Sequence, residues 1–283
     1  MADSSGDGFM AKIKQFLVND LLIKGIIITV LGGAFGAAIT AYLTENINVF
    51  RTSHLISSAT EKINSEKPEK IKDGINTLVQ IAIDVPYRKQ EMVDIITKEY
   101  FRKQFNWQEN LPVTPPEKVE VFVASLNAIL NIPRENENHH RLNIDLHKIA
   151  LVSENGKKIY LQNMDFSDVV LWGSEFVNID FSRSNFENAD LGGVRFDNCG
   201  LEDLNLKNAK MSFSPFEDTQ RPTMFIDSQA ARSTIDEALI ITGTVPQLVI
   251  TNTEIDPERR EKLKHKAPMV KFEQKITTHQ ISV

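Results

Sequence analysis

The chain has 283 residues, 41% apolar and 25% charged, which excludes a disordered or collagen-like polypeptide and leaves room for one large or two smaller domains. The net charge of -6 is unevenly spread: residues 1–141 carry 16 basic and 17 acidic side chains, 142–218 carry 7 and 13, and 219–283 carry 9 and 8. The acidity therefore belongs to the middle segment, and a single cysteine, Cys199, excludes an intrachain disulfide and a thiolate metal cluster.

After a lead over residues 1–20, the stretch GIIITVLGGAFGAAITAYL at 25–43 runs for 19 residues without a charge. That length crosses a hydrocarbon core of about 30 Å at roughly 1.5 Å per residue. A transmembrane helix over 21–44 is expected, placing the chain in the cell membrane as a single-pass protein with the bilayer as one partner. A secretory signal starting at Lys12 and Lys14 is a rival reading, but the apolar run is long for a signal core and no clear small-x-small cleavage site follows. A buried soluble helix is the third. Gly32, Gly36 and Thr40 lie four apart, as do Gly33, Ala37 and Ala41, so one helix side is flat enough for a homo-oligomer contact. The small residues common in membrane helices produce the same spacing. Lys12, Lys14 and Lys24 against Arg51 favour an inside N-terminus, but the side of the following domain stays undecided.

Residues 45–65 read as a stalk or a continuation of that helix. Ile71, Ile75, Leu78, Val79 and Ala82 then follow one helix face, closed by Pro86. Met92, Val93, Ile96, Tyr100 and Phe101 mark a second helix, and Val119, Phe122, Val123, Leu126, Ile129 and Leu130 a third, entered through Thr114-Pro115-Pro116. Residues 66–132 are thus predicted to be a small helical domain, and 133–141, containing RENENHH, a polar linker. His139, His140 and His147 lack the partners of a metal site and read as solvated.

From Leu161 a new period begins. Leu161, Phe166, Leu171, Phe176, Phe181, Phe186, Leu191, Phe196, Leu201, Leu206, Met211 and Phe216 fill twelve successive five-residue slots. On a helix these side chains would circle the axis, and on a strand they would alternate faces. A chain that turns a corner every five residues and stacks its coils meets the pattern. Two residues before each centre stand mostly small side chains, among them Ser174, Ser184, Ala189 and Cys199, while Asp, Asn, Ser and Gly occupy the corners. Cys199 reads as core filler, with a reactive thiol as the minor alternative.

NADLGG and the phased A/S/C-x-(L/F)-x-x units resemble the pentapeptide-repeat family over residues 161–218, with Leu146 and Leu151 extending the register. The resemblance implies a right-handed four-sided β-helix with four units per coil. Coils 20 residues apart then pair Phe166 with Phe186, Leu171 with Leu191, and Phe176 with Phe196 and Phe216. The stretch GINTLVQIAIDVP at 74–86 resembles a segment found ahead of such repeats in bacterial membrane-anchored proteins. The expected fold is mixed α and β: transmembrane helix, helical domain, repeat solenoid over 142–218, and a cap and tail over 219–283. Met164, Ile179 and Leu204 are bulky for the small slot, so less regular coil is expected there. Asn155-Gly156 predicts a loop or capping hairpin. Ser233 with Asp236 predicts a helix start ended at Gly243, and Asp256-Pro257 opens a last helix with a cationic end.

No nucleotide loop, zinc spacing or nucleophile elbow is present, and the inward slots are apolar, so no catalytic, cofactor-binding or metal residue is assigned. Trp172 and Phe213 occupy outward positions and are candidate protein contacts, unless the segment TVPQLVIT at 244–251 folds back over them. A membrane-anchored, non-enzymatic interaction or scaffold protein is expected, its protein partners unidentified and direct nucleic-acid binding not expected. The alternative comes from the resemblance: some pentapeptide-repeat proteins imitate duplex DNA and bind DNA gyrase. Asp165, Asp168, Asp180, Asp190, Asp197 and Asp203 would stand in for phosphates, with Lys157, Lys158, Lys207 and Lys210 breaking the acidic field. A small-molecule receptor using the helical domain is a third reading.

Overall fold

A computed structural model describes residues 49–108, 111–134, 141–212, 221–240 and 248–273. The expected membrane span at 21–44, with Gly32, Gly36 and Thr40, lies outside the described residues. Among the described residues no helix is long and apolar enough to cross a membrane. The chain falls into two units, Met1–Ser57 and Ser58–Val283. In the first, residues 49–57 are helical; in the second, residues 58–63 are helical, within the stretch that reads as a stalk or a continued helix.

In the second unit, helix α1 (Pro68–Asp84) starts with proline in its first turn, where no N–H is needed, and buries Ile71, Ile75, Leu78 and Ala82 as one stripe. Gly74 lies on that stripe because a Cβ there would come within 2.6 Å of the Ala59 carbonyl oxygen. Helix α2 (Lys89–Ile96) passes into a π-turn at Thr97–Arg102, and α3 (Pro116–Leu130) closes the group. Tyr100, Phe101, Phe105 and Phe122 pack edge to face with centroids 4.7–5.6 Å apart.

Beyond residue 141 the chain forms parallel coils. One face is a six-stranded sheet of β1 (Ala150–Val152), β3 (Glu175–Val177), β5 (Arg195–Asp197), β7 (Thr223–Ile226), β9 (Leu248–Thr251) and β10 (Lys271–Glu273), in that order. A second face pairs β2 (Ile159–Tyr160) with β4 (Ile179–Asp180), and a third pairs β6 (Lys210–Met211) with β8 (Leu239–Ile240). Bridges Asp165↔Asn185 and Asn185↔Asn205 form the fourth. Between Asn163 and Asn208 every fifth residue has a left-handed backbone, from φ 57° at Asn163 to 55° at Asn208, with Gly173 and Gly193 in phase. These are the corners. At Phe166, Leu171, Phe181, Phe186, Leu191 and Leu206 the central carbonyl accepts the N–H three residues on, closing a turn whose third residue is left-handed. Asn and Asp tolerate that conformation better than other side-chain-bearing residues, which explains the polar corners.

The coil axis is filled by the central side chains, with Phe166, Phe176, Phe181, Phe186 and Phe196 each at most 2% exposed. Phe166 stacks on Phe186 at 4.7 Å and Phe176 on Phe196 at 5.6 Å, as the 20-residue register requires. The next ring is a correction: Phe225, not Phe216, stacks on Phe196, at 5.3 Å, and Phe216 lies outside the described residues. Ile179 and Leu204, expected to loosen the coil, are 0% and 1% exposed within regular pairing.

The solenoid does not end at residue 218. Strand β5 pairs with β7 at an offset of 29, β7 with β9 at 25, and β9 with β10 at 22, so the 219–273 segment adds coils where a cap was expected. The part of TVPQLVIT from Leu248 to Thr251 is β9 and lies in the sheet, not folded over Trp172. Ser233 is no helix cap: only a three-residue 3-10 turn follows, at Ile235–Glu237, and the Ser233 hydroxyl donates to the Leu201 carbonyl of the coil before. Gly243 lies outside the described residues. Helix α4 (Pro257–Lys266) forms as expected after Asp256, although the Asp256 carboxylate accepts from the Arg232 N–H and not from its own helix. The Asn155-Gly156 stretch is an exposed turn with Gly156 at φ 80°. It enters inside the first coil, because β1 pairs with β3 at an offset of 25 while β2 pairs with β4 at 20.

The first edge is covered by the helical part. Phe105 O accepts from Ala150 N at 2.7 Å, Trp107 N donates to Lys148 O at 2.7 Å, and Thr114 N donates to Val152 O at 2.8 Å. Pairing this edge with residues 105–114 removes the open row of donors and acceptors that a terminal strand would present.

Candidate interaction surface

Most five-residue sides point one residue before the centre and two after it outward, with Asn178 and Asp180 buried exceptions. Before the centres stand Asp145, Asp165, Asp180, Asn185, Asp190 and Asn205, and each side-chain oxygen accepts the N–H two residues further on. These polar groups therefore serve the backbone first. They also join coils: Asn185 Nδ2 donates to Asp165 Oδ1 at 3.0 Å and Asn205 Nδ2 to Asn185 Oδ1 at 2.8 Å, one ladder along one face. Asn198 donates in the same way to Asn178, at 2.6 Å.

The small slot has a second task that size alone does not predict. Ser174, Ser184, Ser228 and Ser233 are buried; the Ser174, Ser184 and Ser233 hydroxyls donate to central carbonyls of the preceding coil, Leu146, Leu161 and Leu201, whereas Ser228 donates at 2.8 Å to Ile226 of its own coil and lies 3.4 Å from the Phe196 carbonyl. Each also accepts a backbone N–H of the preceding coil, from Ile149, Met164, Cys199 and Leu204. Buried backbone groups at the corners are satisfied this way. Serine at positions 228 and 233, five apart, was the available sign that coils continue beyond 218.

The interior phase, the corner φ values and the 20-residue ladders all repeat on one unit of five. Residues 165–203 match the family described as pentapeptide repeats, in eight copies. This stretch is a run of pentapeptide repeats. None of the curated proteins compared matches the chain. Among solved structures it is similar to a trypsin-treated form of QnrB1, a plasmid-mediated fluoroquinolone resistance protein, at 14% identity over 44% of this chain and 82% of that one, with a TM-score of 0.18.

The repeats set the fate of the six candidate carboxylates, of which Asp180 is buried. Asp168 pairs with Arg141 at 2.5 Å, Asp190 with Lys210 at 3.2 Å, Asp197 with Arg195 at 2.6 Å and Asp203 with Arg232 at 2.6 Å. Asp165 and Asp180 have no ion pair within salt-bridge reach among the described residues and are held by hydrogen bonds. Burial pushes both of these carboxyls up, but the bonds from Ser167 and from Ser182 and Gln162 outweigh it and hold them below the usual carboxylate range. Hydrogen bonding to Arg232 holds Asp203 down as well.

Trp172 is half-buried, with His147 stacked on it at 4.3 Å and 8° and Lys148 Nζ 5.5 Å from its centroid. Its ring is thus already engaged from residues of the preceding coil. Phe213, like Gly32, Gly36 and Thr40, lies outside the described residues, so the candidate contact residues are not brought together. Cys199 is buried and its thiol, pushed up to about 12 by desolvation, is held as a neutral core group. Among the described residues no group of three or more His, Cys, Asp or Glu is placed to hold a metal ion.

One polar cluster escapes sequence reasoning altogether. Arg221 donates to Glu175 at 2.9 Å, to Gly193 O at 2.8 Å and to Gly173 O at 3.0 Å, while Trp107 Nε1 donates to the same Glu175 oxygen at 2.9 Å. The Arg221 guanidinium also lies 5.5 Å from the Trp107 ring centroid. Burial lowers the Arg221 pKa, against the pull of Glu175. This clasp ties the stretch after the helical domain, the regular repeats and the start of the later coils. An isolated arginine before Pro222 carries no pattern that would have announced it.

Proposed function

We propose that the chain is a non-enzymatic binding protein that presents its solenoid as a rigid surface to protein partners and is held at a membrane by residues 21–44. The observation that carries this reading is the filled axis: Phe, Leu and small side chains close the interior, and the polar groups outside it are spent on turns and ladders. A reaction needs polar groups converging on a cavity, and a stiff stacked rod instead offers an extended face. Crosslinking and pull-down of the full chain from membranes is expected to recover a discrete protein partner. Full recovery of the chain in the soluble fraction would remove the membrane part of the reading.

A second reading is favoured by the 7 basic against 13 acidic residues of 142–218: a decoy for duplex DNA that binds a topoisomerase such as DNA gyrase. Pairing of Asp168, Asp190, Asp197 and Asp203 with Arg or Lys weakens the row of charges it needs. Supercoiling assays with the full chain separate the two. Inhibition of gyrase, relieved when Asp165 and Asp180 are changed to Asn, would favour the decoy.

A further inference from the structure

The chain holds a single Asn-Gly pair, Asn155-Gly156, and the fold leaves it outside the stacked repeats. Strands β1 and β3 pair at an offset of 25 and β2 and β4 at 20, so the stretch between β1 and β2 carries five residues more than a regular coil needs. Residues 154–158 are all exposed. Lys157 N donates to Glu154 O at 3.0 Å and Gly156 has φ 80°, which makes a type II turn with Asn155 and Gly156 as its two central residues. Neither the Asn155 side chain nor the Gly156 N–H is hydrogen-bonded among the described residues, and a Cβ on Gly156 would meet nothing within 4 Å.

The other asparagines are placed differently. An asparagine amide is lost when the next backbone nitrogen attacks the side-chain carbonyl carbon, so an N–H held in a hydrogen bond is withheld as a nucleophile. After Asn188 and Asn208 that N–H belongs to Ala189 and Ala209, which donate to Phe186 O at 3.1 Å and Leu206 O at 2.9 Å, the bonds that close the corners. After Asn163 and Asn198 it belongs to Met164 and Cys199, which donate to the Ser184 and Ser228 hydroxyls, each at 3.1 Å. Asn64, before Ser65, is tied at both points: its Nδ2 donates to Thr60 O at 3.0 Å and Ser65 N to Lys62 O at 3.1 Å.

We propose that Asn155 is a self-modification site, converted to isoaspartate and aspartate with Gly156 as the nucleophile, while the corner asparagines persist. The Gly156 nitrogen gives its proton to solvent base and bonds to Asn155 Cγ; the Cγ–Nδ2 bond breaks and ammonia leaves, closing a succinimide ring. Water then opens the ring. Cleavage between Gly156 N and Cγ restores the ordinary backbone with an aspartate, and cleavage between Gly156 N and the backbone carbonyl carbon leaves the chain running through the side chain as isoaspartate. The net change is an amide and water to a carboxylic acid and ammonia, with nothing oxidised or reduced. Glycine favours closure because it has no side chain to obstruct its nitrogen and turns freely, and nucleophile and carbonyl already share one chain. The product sets a carboxylate beside Lys157 and Lys158, adding negative charge to a segment that already holds 7 basic and 13 acidic residues. The stacked coils tolerate it, since the extra residues lie outside their register.

The test is peptide mapping of the full chain during incubation at mildly alkaline pH, with a protein isoaspartyl methyltransferase and labelled methyl donor to count isoaspartate. The tryptic peptide from Ile149 to Lys157 is expected to convert first, about tenfold or more faster than peptides carrying Asn188 or Asn208, and Gly156→Ala is expected to slow it by about tenfold. Incubation in urea separates protection by the fold from the preference of the Asn-Gly pair: the corner asparagines are expected to accelerate by about tenfold and Asn155 by less than about threefold. Asn155→Gln keeps Gly156 and is expected to accept no methyl at 149–157, which covers a Gly156→Ala chain that does not fold. Conversion of Asn188 or Asn208 as fast as Asn155 in the folded chain, corner rates unchanged by urea, or methyl acceptance at 149–157 that is absent in the parent or persists in Asn155→Gln each overturns the proposal.

Discussion

The coils at 161–212 and those at 221–273 share one interior and differ in almost everything else. In the first, partners lie 20 residues apart and every side has five residues, while in the second the offsets are 29, 25 and 22, and α4 replaces part of a turn. Yet Phe176, Phe196, Phe225, Ile250 and Phe272 fall on one line of register, and Ser233 repeats the hydroxyl bridges of Ser174 and Ser184. A coil is therefore defined by which side chain arrives at the axis and which hydroxyl meets the corner beneath it. The number of residues spent between arrivals is free, because a loop leaving at a corner costs only slowly growing closure entropy.

The sharpest way to break that equivalence is a buried charge in each region. Phe186→Asp and Phe225→Asp each place a carboxylate among 0% exposed rings, and a loss above about 4 kcal/mol is expected for both, enough to abolish the folded transition by circular dichroism. If Phe225→Asp melts like the parent, the later coils are an ornament and the equivalence fails. The junction comes next. Arg221→Ala leaves Glu175, whose side chain is 12% exposed, with Trp107 and a more distant Arg195, at an expected cost of about 3 kcal/mol. Hydrogen exchange should quicken first in β7 and β9, whereas uniform quickening would mean that the clasp does not couple the two regions.

A smaller contrast tests spacing directly. A Cβ at Gly200 would sit 2.5 Å from Asp180 Oδ1, while its counterpart one coil on is Gln229, which carries a side chain. Gly200→Ala is expected to cost about 2 kcal/mol by displacing the Asp180 carboxylate, whereas Gln229→Ala should cost less than about 0.5 kcal/mol in a chemical melt. The smallest effect is on pH. Asp165, Asp180 and Asp203 are held below their ordinary values in the folded chain, so their contribution is present at neutral pH and is lost as pH falls through those lowered values, below about pH 4. High salt should raise the Asp203 midpoint, set by an exposed arginine, more than that of Asp180, set by neutral donors, in an NMR titration.

The amino-acid sequence alone determined the repeats: a large apolar residue every fifth place is a local, countable signal, and it carried the stacking of Phe166 on Phe186 and the polar corners with it. The three helices were legible for the same reason, since α1, α2 and α3 each show a periodic stripe. The tertiary structure decided what depends on meeting residues far apart in the chain. Met211 to Thr223 breaks the count of five, so Phe225 taking the place expected for Phe216 shows only once strand β7 lies on β5. The Arg221 clasp had no period to reveal it. Whether a charge is neutralised or left open is set by the distance to another side chain, and the order of residues does not contain that distance.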